Sequence, residues 1–479
     1  MHRLWALACG AAIGLIGGPA WAEEKVEDSF RARLDAMVAQ KGGLQSDEVA
    51  KRAVSTSYSV RQRADELVAA EAAVKQALVA YLPRLQGTGR YTRLSPITAP
   101  VLGNLVVAPS SPAGPLPMNA QLVNVPFSIA PILDNTLVQG SLTIPLLDYV
   151  LRIPGVHESA SRARDAAKYN EAASRLQVAS DARVAYYNWV RARLQTVVAE
   201  QALIQAKQHL ESAENLFNAG ATSKADVLRT QALVASSELF VARAKDLEAV
   251  LEDQLRTAMH DTPEARYEIG EDLRVSLEPM PIAAAQVLFD EAWTARFEIK
   301  VLEESVNAER AQAKAARGGY LPQVAAFGDV IYGNPNPRFF PPKQEYDATW
   351  DVGLQLSWAP NDLLSSIEAV DQAEARAKSL EDQMGQVKDA LRIEVMQSLE
   401  AVREADLNVK TTAQGLDAAE ESYRVRRELY QNDRATSVEL TDAETDLTQA
   451  RLNAVTARID QRASRVRLSH ATGQDIERR

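Results

Sequence analysis

Histidine, cysteine and carboxylate are the side chains that could do chemistry in this sequence, and their spacing does not assemble a reaction. The five histidines are scattered, with no His-x-x-x-His pair, and Cys9 is the only cysteine. A zinc or other transition-metal site needs clustered His and Cys ligands, so no metal and no cofactor is expected, and nothing supports an enzyme. Carboxylates are plentiful, with 64 Asp and Glu in the chain. Glu439 and Asp442 stand three residues apart and so share one helix face. A solvated acidic face is the ordinary explanation for such a pair.

The elements that position these carboxylates come in duplicate. Leu429–Ala443, LYQNDRATSVELTDA, pairs with Leu216–Thr230, LFNAGATSKADVLRT, at a shift of 213 residues. Leu216 falls on Leu429, Thr222 on Ala435, Asp226 on Glu439 and Leu228 on Thr441. Each copy ends one long helical pattern and begins another. Tyr81-Leu82-Pro83 recurs as Tyr320-Leu321-Pro322, each time leaving an Ala-rich helix for alternating residues. The chain therefore reads as a tandem duplication.

Met1–Ala22 has a basic start, an apolar run from Leu4 to Gly18 and a small-x-small site at Ala20-Trp21-Ala22, the pattern of a secretory signal peptide. The apolar run is shorter than the ~20 residues of a spanning helix, which argues against an anchor. Cys9 sits inside that run, so the mature chain has no thiol. Loss of Arg3 takes the net charge from −11 to −12, 52 basic against 64 acidic residues. That balance argues against nucleic acid as a partner. No later apolar run reaches spanning length, so a membrane crossing would need a closed β-barrel.

In order, 23–44 reads as an irregular polar leader. A first repeat at 45–270 and a second at 271–473 follow, then a short tail at 474–479. Ser46 is expected to cap a helix running to Pro83, matched by a helix from Ala283 to Gly318-Gly319. Strands are expected at Arg84–Leu94, Thr136–Leu146, Gln323–Tyr332 and Asp351–Trp358, with loops at Ser95–Asn135 and Gly333–Thr349. In the cleanest strands Val138, Leu142 and Ile144, and then Val352, Leu354, Leu356 and Trp358, alternate with mostly polar neighbours. That period places them on one face of a sheet. A lipid-facing barrel strand has this pattern, and so does a half-buried sheet in a soluble protein.

Val156–Ala219 contains neither glycine nor proline, and its 64 residues would make a helix of about 96 Å. Ala221–Thr262 is likewise uninterrupted. Leu440, Leu447 and Ala454, interleaved with Ala443, Ala450 and Ala457, form a stripe of mean spacing about 3.5, the knobs-into-holes period. Helices this long are expected to pack side by side as coiled coils.

This order of elements (helix, Tyr-Leu-Pro, strand, long loop, strand, helical hairpin with a conspicuous turn, then all of it again) resembles the TolC-like outer-membrane efflux proteins. The likeness runs from about Leu44 to Gly473. It implies a mainly α fold with a transmembrane β-barrel contribution, duplicated long helical hairpins and four strands per subunit. It implies a homotrimer that closes one shared barrel in outer-membrane lipid and continues it as a helical tunnel through the periplasm. The function implied is a passive exit duct, joined through a periplasmic adaptor to an inner-membrane transporter, for efflux or type I secretion. The alternative is a periplasmic coiled-coil adaptor or scaffold without a pore.

By the same resemblance, Glu439 and Asp442 match the acidic pair at the periplasmic aperture, where three copies would favour cations. Asp226 and Tyr430 match residues that tie the closed state. The expected Arg falls on Ala435, with Arg434 immediately before it. Gly220 and Thr222 in the first turn, and Asp433 and Thr436 in the second, are the candidate adaptor contacts, although a helix C-cap also explains Gly220.

Overall fold

The computed structural model of the chain describes residues 32–97, 101–108, 115, 118, 120–129, 131–275, 277–281, 283–432 and 434–475. The expected signal peptide at 1–22 and tail residues 476–479 lie outside the described residues. Stretches poor in proline and glycine are helical, as helix propensity favours, although Gly155, Gly385 and Gly415 also lie in helix. In chain order they are α1 (Ser46–Thr56), α2 (Tyr58–Val79), the short α3 (Asp148–Leu151), α4 (Ile153–Asn218), α5 (Lys224–Met259), α6 (Ala285–Ala295), α7 (Phe297–Arg317), α8 (Pro360–Gln431) and α9 (Ser437–Ala471). No described helix is long and apolar enough to cross a membrane.

The strands are β1 (Arg84–Arg93), β2 (Val101–Val107), β3 (Val123–Ser128), β4 (Asp134–Pro145), β5 (Gln323–Asn334) and β6 (Asp347–Ser357). Four form an antiparallel sheet in the order β1-β4-β5-β6. Its register sets Leu85 beside Leu142, Leu142 beside Gly328, and Gly328 beside Val352. Because the side-chain period is two, Val138, Leu142 and Ile144 share a face with Val324, Val330, Trp350, Val352, Leu354 and Leu356. Val352, Leu354 and Leu356 are 73, 73 and 69% exposed in the single chain. The opposite face carries Gln139, Ser141, Asp329 and Asp351, and the Gln139 amide donates to Asp329 Oδ1 at 3.2 Å. Phe327 lies over Gly353, where an added Cβ would meet its ring at 2.8 Å.

Compact packing divides the chain differently from its repeats. One unit comprises 67–167 and 302–383, and therefore contains the whole sheet. Within it Gly155 lets α4 approach α7, since a Cβ there would stand 2.8 Å from the Ala315 nitrogen. Arg162 pairs with Glu304 at 3.1 Å. The other unit comprises 1–66, 168–301 and 384–479. Its largest core gathers Tyr186, Trp189 and Val190 of α4, Leu255 and Met259 of α5, and Val49 and Ala53 of α1. Leu44 and Ile269 form a parallel bridge at its edge. Gly43 and Gly270 cross there so closely that a Cβ on Gly270 would sit 2.2 Å from the Gly43 carbonyl oxygen.

Several expectations need correction. The helix foreseen from Ser46 to Pro83 breaks at Ser57, and the one from Ala283 to Gly318-Gly319 breaks at Arg296. Both breaks leave the helical region in the same way, with φ −58°, ψ 127° and φ −63°, ψ 130°. Ser46 is the first helical residue rather than the cap. Gln45 precedes it, and the Ser46 N–H is satisfied by Glu271 Oε1 at 2.9 Å. The leader at 23–44 is not wholly irregular: 32–37 is helical, and Leu34 and Val38 pack on the large core. Ser95–Asn135 is not simply a loop, because β2 and β3 pair within it. Trp358 lies one residue beyond β6.

Candidate functional site

The two helical turns that carry the predicted residues share a hydrogen-bond pattern. At the first, Ala221 N–H donates to Leu216 O at 2.8 Å and Gly220 N–H to Phe217 O at 2.9 Å. Gly220 has φ +73°. This is a Schellman C-cap, which favours glycine because the left-handed region penalises a Cβ. At the second turn, 213 residues on, Arg434 N–H donates to Leu429 O at 2.8 Å. Asp433 lies outside the described residues.

Each turn then opens the next helix with a capping box. Ser223 Oγ accepts from the Asp226 N–H, and Asp226 Oδ2 accepts from Ser223 and, at 3.0 Å, from Thr222 Oγ1. Thr436 Oγ1 accepts from the Glu439 N–H, and Glu439 Oε2 accepts from the Thr436 N–H at 2.9 Å. The reciprocal bonds satisfy amides that a helix start leaves open. The Ser223 hydroxyl, then Thr222, hold the Asp226 carboxyl below its usual range. The Thr436 N–H does the same for Glu439, helped by the Thr436 hydroxyl and by Arg426.

Beyond the caps the turns differ. Glu439 Oε1 accepts from Arg426 on α8 at 2.6 Å, tying α9 back to the helix before it. Tyr430 is 5% exposed and packs with Tyr423, Leu440, Ala443 and Leu447. Its ring meets His209 of α4 edge-on at 5.3 Å. His209 Nδ1 lies 3.2 Å from Glu444 Oε2 of α9, with both side chains buried. Asp442 and Arg434 are exposed.

Sequence reasoning placed Glu439, Asp226 and Tyr430 at these turns but missed His209, Glu444 and Arg426. A signal for Arg426 existed, since a basic residue on the helix before an acidic cap can fold back across a short turn. None existed for His209, which belongs to the other repeat. Among the described residues no cluster of His, Cys, Asp and Glu could hold a metal ion.

A duplicated pair of long hairpins and a four-stranded antiparallel sheet with one apolar face make this a protein of mixed helix and strand. The family model described as outer membrane efflux protein matches residues 49–259 and 288–474, and the chain belongs to that family. It is an outer-membrane efflux channel, a transport conduit rather than an enzyme.

Solved structures with the same fold include the outer-membrane channel OprN, at 18% identity and TM-score 0.72, covering 89% of each chain. CusC is similar at 17% identity and TM-score 0.71, over 90% of this chain and 92% of its own. The Campylobacter jejuni channel CmeC is similar at 14% identity and TM-score 0.71, over 90% and 88%. No curated protein matched the sequence.

Proposed function

We propose that this channel is the exit duct of a tripartite efflux or type I secretion system, a homotrimer coupled through a periplasmic adaptor to an inner-membrane transporter. The observation that carries the reading is the sheet. Its four strands leave β1 and β6 unpaired at the edges, and lipid tolerates no unpaired edge. Four strands are too few to close a barrel alone. Joining the β6 edge of one copy to the β1 edge of the next closes it. On this reading Val138, Leu142, Ile144, Val352, Leu354, Leu356 and Trp358 face lipid.

The two turns form the periplasmic end. Glu439 and Asp442 line the aperture, with Glu439 oriented by Thr436 and Arg426. Asp226, Tyr430 and Arg434 are the closed-state tie. Asp226 is engaged inside its own turn, so the tie would have to compete with Thr222 and Ser223. Gly220, Thr222, Asp433 and Thr436 are the adaptor-contact positions. The pore-free scaffold reading is disfavoured by family membership and by the apolar sheet face.

Single-channel conductance in a planar bilayer tests the reading, with a trivalent cation titrated from the periplasmic side. Cation-selective pores that are blocked in the native protein and not in the Glu439→Ala/Asp442→Ala double variant are expected. Pores blocked equally in both would remove the aperture assignment. Absence of pores from a trimeric sample would point first to a closed resting state, and to the pore-free scaffold if it persisted with the tie cut in Asp226→Ala.

A further inference from the structure

From Leu94 to Leu133 the chain runs 40 residues without one Asp, Glu, Lys, Arg or His. At the chain's 24% charged composition such a stretch would carry about ten charges. The last charges before and after it, Arg93 and Asp134, pair at 2.8 Å across the end of β1 and β4. This is the sheet end opposite the helices, because α2 leads into β1 and β4 leads into α3.

Inside the stretch, β2 and β3 pair with Leu105 opposite Val125, Val107 opposite Val123 and Gly103 opposite Phe127. One face of the hairpin is therefore wholly apolar, while the other carries Asn104, Asn124 and Pro126 around Val106. On the apolar face the five side chains are 38–50% exposed. A lone two-stranded hairpin is marginal in water. This one needs something to lie on.

We propose that the apolar face of the β2–β3 hairpin seats on outer-membrane lipid, at the boundary of headgroups and acyl chains. Four observations choose lipid. The protein resides in the outer membrane. The hairpin leaves the sheet at the end where Tyr91, Tyr332, Tyr346 and Trp350 gather, and tyrosine and tryptophan collect at membrane interfaces. A run without ionisable groups desolvates without burying a charge. Pro126 within β3 also removes one backbone donor that lipid would leave unsatisfied. The two strands still have open backbone edges, which sets the hairpin at interfacial depth and not in the hydrocarbon core.

A second copy of the chain fits less well. Five half-exposed apolar side chains fall short of the roughly 1,000 Å² that a specific interface buries.

The inference rests on outer-membrane residence and not on the proposed coupling to a pump, so it can be tested without one. The sequence after Cys9 contains no cysteine, which allows single-site labelling of the full protein. A bimane fluorophore is placed on Leu105→Cys or Val125→Cys, and for the opposite face on Asn104→Cys or Asn124→Cys. Each is reconstituted in phosphatidylethanolamine/phosphatidylglycerol vesicles, with helix content by circular dichroism as the folding control.

Nitroxide-labelled lipid, with its label just below the headgroup, should quench the first pair several-fold more than the second. Aqueous iodide should do the reverse. Equal quenching of both faces by iodide would overturn the proposal in favour of a hairpin in water. Oxidative cross-linking of Leu105→Cys between copies, with no lipid quenching, would overturn it in favour of contact between protomers.

Discussion

The two turns of this channel have matching caps and different burial. Phe217 in the first turn and Tyr430 in the second occupy equivalent positions at the 213-residue shift, yet one is 43% and the other 5% exposed. Both precede a C-cap with the same backbone bond, and both helices that follow begin with a capping box. Local sequence therefore dictates the turn, and what packs on it is a separate matter. α4 brings His209 against the second turn, and the first turn keeps Phe217 and Leu228 exposed. Duplication supplied two similar turns, and tertiary packing made them unequal.

The sharpest way to break this contrast is to empty the buried cluster. Leu447→Ala should cost about 2–5 kcal/mol at its fully buried site, read as lost amide-exchange protection across 429–447. Phe217→Ala at the exposed counterpart of Tyr430 should stay within about 0.5 kcal/mol. Equal losses would mean that the first turn is buried in the assembly, and the contrast would then belong to the single chain alone.

His209→Leu removes the imidazole beside the buried Glu444 carboxylate. Leaving a buried polar group without its partner costs about 1–3 kcal/mol. The loss of protection should appear in the second turn and spare the first. The caps should behave alike: Ser223→Ala and Thr436→Ala are each expected to cost about 1 kcal/mol in local opening. A large difference between them would show that one turn is held by packing and not by its cap.

The smallest effect is that of pH. Asp226 and Glu439 both titrate below their ordinary ranges in the folded protein. Their stabilisation is present above the unfolded carboxylate values, near 4, and is lost as pH falls through the lower folded ones. Glu439→Gln should flatten the acid limb of exchange at the second turn only. Arg426→Gln should weaken it by less, because the backbone N–H of Thr436 is the larger cause.

What was legible in the sequence was local or periodic. Ser223 three before Asp226 and Thr436 three before Glu439 announce their boxes, and the stripe through Leu440 and Leu447 announces the buried side of α9. The break at Arg296 was not legible, because no proline or glycine marks it. Its guanidinium is held by Glu298, by Glu394 at 3.1 Å and by the His470 carbonyl at 3.1 Å, two of them far along the chain. The β2–β3 pairing was hidden by prolines that read as loop, and Pro126 still lies within β3 opposite Asn104. His209 was invisible as a partner because its contacts belong to the other repeat.

The sheet order also governs when this protein can fold. β4 and β5 are neighbours, with Thr136 beside Asn334, although nearly two hundred residues separate them. That pairing cannot begin until most of the polypeptide has crossed the inner membrane, and long-range strand pairing is intrinsically slow. Until then β1 and β4 have only each other to pair with, and an apolar face with an open edge is the kind of surface that aggregates. Survival between export and assembly therefore depends on how quickly that edge is covered.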